Sequence, residues 1–498
     1  MKGRPNILFV LSDQHAQRVA GCYGDPLGAT PNLDRLAARG VCFDTAYCPA
    51  PICTPSRMSL LTGRWPFEQS CWTLQDTLAS DLPTYAHALG AAGYRTIQVG
   101  RMHAIGPDQM HGFAERDVGD CSPNWLGAGR QNLGPLAGAQ GPAPAGADGR
   151  APSLALSGRG QSGYEVVDYA TTAAALAQLD ALAGQVDAPP FLLGVGLLLP
   201  HCPFVARRPD YDRFAGRVGL PRLDAPDPEH PWHAKWRRFT STDRVDPTDS
   251  IRARTAYYGL VRALDTKIGA ILNRLEATGL AANTLVIYAS DHGEQLGEQG
   301  LWWKNTFFDG SAKVPLVMAW PGHLPAGVRC GRVVNLTDVG ATMVAAAGAP
   351  ALPRSRGRSL LGVAADPDAP WIDETFCEYV TDTLSAFTGP EPVTQRMLRT
   401  ERWKYIHMQG YRPQLFDMIA DPDECHDLGG DPAFADLVAT LSARVLAGWD
   451  AGSIRLEVDM RCAEKRLLET WGRQTSPEST LQFQIASADN WLDPPPSG

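Results

Sequence analysis

From residue 5 to residue 12 the chain is an almost unbroken apolar run, Ile7-Leu8-Phe9-Val10-Leu11. It has no polar alternation for a wet face, so it predicts a strand buried on both sides of a parallel sheet. Thr30-Pro31-Asn32-Leu33 then changes the pattern. Thr30 is placed to cap a helix, Pro31 suits its first helical position, and Gly40 ends it. The alternation repeats downstream. A helix is predicted over 83–92, stopped by Gly93, and a strand over 94–99. An apolar strand interrupted by two glycines follows at 191–199, then a long amphipathic helix at 251–278 closed by Gly279. Further strands are predicted at 284–290 and 314–320. Strands separated by helices predict an α/β fold: a large, mostly parallel sheet sandwiched by helices.

The stretches between these elements differ in texture. Residues 127–163, rich in Gly, Ala and Pro, read as a long loop or insertion, and 205–250, dense in Arg, Asp and Pro, as irregular. Beyond about residue 365 the pattern changes again. Arg402-Trp403-Lys404-Tyr405-Ile406 and Gln414-Leu415-Phe416-Asp417 predict a small antiparallel hairpin, with a helix over 432–449 against it. The last fifty residues end in Pro494-Pro495-Pro496 and are read as an extended tail reaching a neighbouring subunit. We therefore expect a catalytic α/β domain over 1–365 and a smaller C-terminal α+β subdomain over 366–498, a division that 498 residues accommodate.

Composition narrows the function classes. A hydrophobic content of 44% with 20% charged residues is that of a globular protein. The net charge of −9 gives no footprint for nucleic acid. Eleven scattered cysteines, an odd number, argue against a disulfide framework. The apolar run after Met1 is too short for a signal peptide, and no stretch has the length of a membrane span. The expectation is a cytoplasmic protein with neither nucleic acid nor membrane as partner.

Polar residues punctuate the ends of the predicted strands. Asp13-Gln14 follows the first, Arg101 and His103 the second, His201 the third and Asp291-His292 the fourth. Ligands of α/β sheets bind at the carboxyl ends of the strands, so these clusters predict an active site. In an acidic protein, an anionic substrate would need such locally converging cations.

Cys53-Thr54-Pro55-Ser56-Arg57, followed by Leu61-Thr62-Gly63-Arg64, carries the sharpest signal. It resembles the signature of the sulfatase family, in which the cysteine of C-x-P-x-R is oxidised to formylglycine. The resemblance implies that Cys53 matures, with a formylglycine-generating enzyme as partner, into an aldehyde whose hydrate is the nucleophile. Cys53 would precede a helix, and Arg57, one turn along, would stabilise the charge developing there. Asp13, Gln14, Asp291 and His292, with the modified Cys53, would hold one divalent cation. Gln14 and His292 stand where many relatives carry aspartate and asparagine, which makes manganese plausible beside calcium. This pair is similar to the choline sulfatase and phosphonate monoester hydrolase branch.

Gly100-Arg101-Met102-His103 resembles the family's Gly-Lys-x-His, and Pro200-His201-Cys202-Pro203 its Pro-His-x-Pro. Lys304 matches a lysine that stabilises the leaving oxygen, so His103, His201 and Lys304 are candidate proton donors. Leu74 falls where an asparagine would reach the sulfate. An aromatic cage for a cationic substrate would draw on Trp72, Trp125, Trp302, Trp303 and Glu378. The resemblance covers most of residues 5–440. It implies hydrolysis of small anionic sulfate esters, or alternatively of phosphonate monoesters or phosphodiesters, by a homo-oligomer.

Overall fold

The computed structural model describes residues 4–128, 131–185, 188–384 and 389–493. Its centre is an eight-stranded sheet. From edge to edge the order is Val328–Asn335, Val41–Tyr47, Leu316–Ala319, Thr284–Ser290, Asn6–Asp13, Phe191–Pro200, Arg95–Gly100 and Glu115–Asp117. Every pairing is parallel except those of Leu316–Ala319, which runs against both neighbours. The expected α/β architecture is present, and the sheet is mixed at this one strand. The central strands are buried along their whole length, as their continuous apolar runs require.

Pairing along the sheet brings the strand ends together. Ser12 lies opposite Ser290, Asp13 opposite Pro200, and Gly100 opposite Gly196. The polar clusters that follow them therefore emerge on one edge of the sheet.

Several local expectations need correction. Thr30 occupies the N-cap position of helix Pro31–Ala38, but its hydroxyl donates to Asp34 instead of capping. The cap comes from Asp265 on helix Pro247–Ala277, whose carboxylate accepts the N–H groups of Asn32 and Leu33. Residues 205–250 are not wholly irregular, because helix Pro231–Thr240 buries Trp232 and Trp236 within them. The last fifty residues do not extend away. Helix Ala451–Thr475 buries Ile454, Val458 and Cys462 at four-residue spacing. The chain then folds back, and Trp491–Leu492 pairs antiparallel with Gly158–Gln161. The three terminal prolines lie outside the described residues.

The C-terminal region holds a four-stranded antiparallel sheet, Glu374–Val380, Thr394–Thr400, Trp403–Met408 and Gln414–Asp417. It contains the expected hairpin, with Leu441 and Val445 of helix Ala435–Leu446 packed on Leu398, Tyr405 and Leu415. Lys404 anchors this sheet to the loop after Lys304. Its buried ammonium donates to Phe307 O at 2.9 Å, Asp309 Oδ1 at 2.5 Å and Glu424 Oε1 at 2.6 Å. All eleven cysteines are free. No helix among the described residues is long and apolar enough to cross a membrane.

Candidate active site

Cys53 opens helix Cys53–Thr62, which Gly63 closes in the left-handed region, φ 71°. All ten residues of this helix are buried, so its N-terminal turn faces the site away from bulk water. The thiol sits at a crossing of opposite charges. Its Sγ is 3.5 Å from Asp13 Oδ1, 3.1 Å from His292 Nε2 and 3.1 Å from Lys304 Nζ.

One side of the thiol is built for a cation. Ligand atoms of Asp13, Cys53, Asp291 and His292 all lie within 4.8 Å of one another, and all four residues are buried. His292 Nδ1 faces Gly293 O at 3.0 Å, which places the ring proton there and leaves the Nε2 lone pair for the cluster. The outer oxygens of both carboxylates are already engaged. Arg57 donates from Nε to Asp291 Oδ2 at 2.7 Å and from Nη2 to Asp13 Oδ2 at 3.2 Å. Arg57 thus fixes the two carboxylates beside the thiol. Gln14, held at φ 68°, turns its amide oxygen to Lys304 and its amide nitrogen to Glu294. The two carboxylates and the imidazole of this buried cluster fit a divalent cation.

The other side is cationic. Arg101 donates to Asp13 Oδ2 at 2.7 Å and to His103 Nδ1 at 2.8 Å. Lys304 Nζ lies 3.0 Å from His201 Nε2. His201 Nδ1 faces Cys202 O at 2.5 Å, so Nε2 accepts from Lys304. Burial would raise the Asp13 pKa, but the charges of Arg101, Arg57 and Lys304 outweigh it and hold the carboxyl well below its usual range. Burial together with Arg101 holds His103 well below the imidazole range. Burial together with Lys304 lowers His201.

Three further buried carboxylates bond the segments that carry these groups. Asp120 accepts from His103 N at 2.6 Å and from Arg101 Nη1 at 3.4 Å. Glu294 accepts from Trp303 N at 2.7 Å and so fixes the segment that carries Lys304. Asp168 accepts from Leu198 N and Leu199 N ahead of His201. Sequence reading missed them in this role. Only Glu294 had a signal, its place in Asp291-His292-Gly293-Glu294.

The family profile described as sulfatase matches residues 5–349 of the chain. This chain belongs to the sulfatase family. It is a sulfuric ester hydrolase by that membership, and a second profile, N-sulphoglucosamine sulphohydrolase C-terminal, matches residues 297–449. A choline-sulfatase of Rhizobium meliloti (strain 1021) is 34% identical over 476 residues, covering 89% of this sulfatase and 85% of the relative. An ulvan-active sulfatase of Formosa agariphila is 28% identical, covering 89% and 80%. A phosphonate monoester hydrolase from Silicibacter pomeroyi superposes with a TM-score of 0.70 at 26% identity, covering 89% of this chain and 95% of that one.

Above the reactive groups of this sulfatase lies a cavity of about 640 Å³, floored by Cys53, Arg101, His103 and His201. Leu74, Trp125, Tyr164, Glu469 and Arg473 line its walls. Trp125 is where a substrate could meet it, edge-on to Trp471 at 5.2 Å. The other cage candidates are placed elsewhere. Trp303 is 1% exposed and packs into the core cluster that includes helix Pro247–Ala277, as does Trp302. Trp72 packs against Trp449 in a separate cluster. Glu378 is buried beside Arg396 and accepts from Phe67 N at 3.2 Å, and burial pushes its pKa up to about 7. Glu469 and Arg473 were missed because they lie in the segment read as a tail.

That wall depends on one close approach. A Cβ on Gly472 would stand 2.1 Å from Leu126 O, and one on Gly127 2.2 Å from Glu469 O. Gly→Ala in a helix ordinarily gains about 1 kcal/mol in propensity. Here a backbone carbonyl cannot yield, so Gly472→Ala is expected to lower the melting temperature and raise KM by moving Glu469 and Arg473. A raised melting temperature with unchanged KM would show that the contact is dispensable.

Proposed function

We propose that this sulfatase hydrolyses sulfate monoesters of aryl or small alkyl alcohols, with residue 53 acting as a hydrated formylglycine. The observation that carries the reading is the place of Cys53 Sγ, between the Asp13–Asp291–His292 cluster and Lys304 at the floor of the cavity. Sγ marks where an oxygen on the oxidised Cβ would stand. A divalent cation held by Asp13, Gln14, Asp291, His292 and residue 53 would supply Lewis acidity, lowering the pKa of a hydroxyl on residue 53.

The chain's own groups do the rest. Arg101, His103, His201 and Lys304 receive the three sulfate oxygens and neutralise charge that builds on them. One hydroxyl of the residue-53 hydrate, losing its proton, forms a bond to sulfur as the bond from sulfur to the alcohol oxygen breaks. Lys304 carries donors only and His201 Nε2 is their acceptor, so this pair delivers a proton to the departing alcohol oxygen. The Lys304–His201 pair, left one proton short by that step, then takes the proton of the second hydroxyl as the carbonyl re-forms and the bond from its carbon to the sulfate oxygen breaks, releasing sulfate. Arg57 and Arg101 hold the carboxylates through both steps.

Phosphonate monoester or phosphodiester hydrolysis is the second reading, favoured by the Gln14 and His292 ligand set and by the Silicibacter pomeroyi superposition. Arg101, His103, His201 and Lys304 favour sulfate. The test compares kcat/KM for an aryl sulfate and an aryl phosphonate monoester, in enzyme co-expressed with a formylglycine-generating enzyme and assayed with manganese and calcium. A preference for sulfate of about tenfold or more, 1.4 kcal/mol or more in transition-state energy, is expected. Preference for the phosphonate would overturn the substrate assignment. The mass of the Cys53 peptide should be that of the aldehyde, and unmodified thiol in fully active enzyme would overturn the mechanism.

A further inference from the structure

His201 reaches the site because its strand breaks register just before it. The Phe191–Pro200 strand pairs regularly with Asn6–Asp13 as far as Leu11 opposite Gly196. The next paired positions are Asp13 and Pro200, so Ser12 alone faces the three residues Leu197, Leu198 and Leu199. On the strand's other side, pairing with Arg95–Gly100 also ends at Gly196. Backbone N–H groups in such a bulge lose their ladder partners and, buried, need others.

Asp168 supplies them. Its Oδ1 accepts from Leu198 N at 2.7 Å and its Oδ2 from Leu199 N at 2.9 Å, and the residue is fully buried. Asp168 lies on helix Gly163–Ala183, one turn after Tyr164 and on the same face. Tyr164 meets the His201 ring edge-on at 5.7 Å. His201 N in turn donates to Leu198 O at 2.9 Å, closing the turn that the carboxylate anchors. Buried Lys267 pairs with Glu165 at 3.8 Å on the same helix and places a positive charge near this acidic cluster.

We propose that Asp168 is a positioning residue for His201: its carboxylate replaces the ladder partners that the bulge removes, and so sets where the imidazole stands beside Lys304. This rests on the reading of His201 as part of the anion site. An amide at position 168 would keep one acceptor and turn a donor toward an N–H group, so the bulge would have to shift. A displacement of about 1 Å at a reacting group costs up to about a hundredfold in rate.

The test is a double-mutant cycle on metal-loaded, Cys53-converted enzyme, using whichever aryl ester, sulfate or phosphonate, the unaltered enzyme hydrolyses. The choice separates this proposal from the substrate assignment. A good leaving group keeps the His201→Ala rates measurable. Asp168→Asn is expected to lower kcat/KM by about 10- to 100-fold in the otherwise native enzyme, and by less than about twofold in the His201→Ala background. Metal content and Cys53 conversion should be unchanged. Equal losses in both backgrounds, or no loss in either, would overturn the proposal. Should Asp168→Asn not fold, Asp168→Glu, which keeps both acceptors and moves them by one methylene, is read in the same cycle. If neither variant folds, Asp168 is a folding residue and the positioning role is refuted.

Discussion

Asp291→Ala is expected to empty the cation site and to reduce kcat/KM by at least about a thousandfold, or about 4 kcal/mol of transition-state stabilisation. Asp291 has no redundant partner in the cluster. Its Oδ1 accepts from Gln14 N at 3.1 Å and His292 N at 2.9 Å, and its Oδ2 takes Arg57 Nε at 2.7 Å. Removing the carboxylate therefore deletes a ligand and also frees the turn that aims Gln14 and His292. The fold should persist, because Arg57 keeps Asp13 at 3.2 Å and helix Cys53–Thr62 keeps its buried packing. A stability loss of about 3–5 kcal/mol is expected from breaking one arm of a buried ion pair. Elemental analysis, circular dichroism and a thermal melt read the three effects separately. A folded variant with stoichiometric metal would show that the cation binds elsewhere.

How far the sequence reveals this depends on which residues each group must satisfy. Asn6–Asp13, Phe191–Pro200 and Thr284–Ser290 were legible because strands buried on both faces must be apolar throughout. Their polar successors were legible as a site for the complementary reason: Asp13, Arg101, His201 and Asp291 follow apolar runs and need a functional partner. Strands nearer the edge of the sheet carry weaker patterns. Val41–Tyr47 contains Asp44, whose charge pairs with Arg329 on the neighbouring strand, and this breaks the apolar run. Strand direction has no hydrophobic signature, so the reversal at Leu316–Ala319 could not be read. Nearness in sequence misled at Trp303, which adjoins Lys304 yet at φ 64° turns into the core. Asp120 and Asp168, unlike Glu294, were illegible because each serves backbone N–H groups, which no residue pattern marks. Asp120 serves His103 N, and Asp168 serves a bulge that exists only once the sheet has formed.

Cys53→Ala should be the most damaging single change, with kcat lowered by about 10⁴-fold or more, since removal of a covalent nucleophile leaves only binding and electrostatic stabilisation. Its structural cost should be small. The thiol is 1% exposed and touches Asp13, His292 and Lys304, so alanine removes one sulfur and leaves those groups paired with each other and with Arg57 and Arg101. Cys53→Ser is the more discriminating variant. A serine hydroxyl can lose its proton and attack sulfur, and the alcohol can leave with a proton from the Lys304–His201 pair. Without a second hydroxyl on the same carbon, however, no carbonyl can form to expel the group. The expected result is one equivalent of alcohol released, no further turnover, and a protein mass increased by one SO3 unit on the peptide containing residue 53. Sustained turnover by Cys53→Ser would mean that water hydrolyses the ester directly, as in a conventional nucleophile mechanism, and the hydrated aldehyde would then be unnecessary. Cys53→Ala and Cys53→Ser together therefore separate the need for a nucleophile at this position from the need for two oxygens on its carbon.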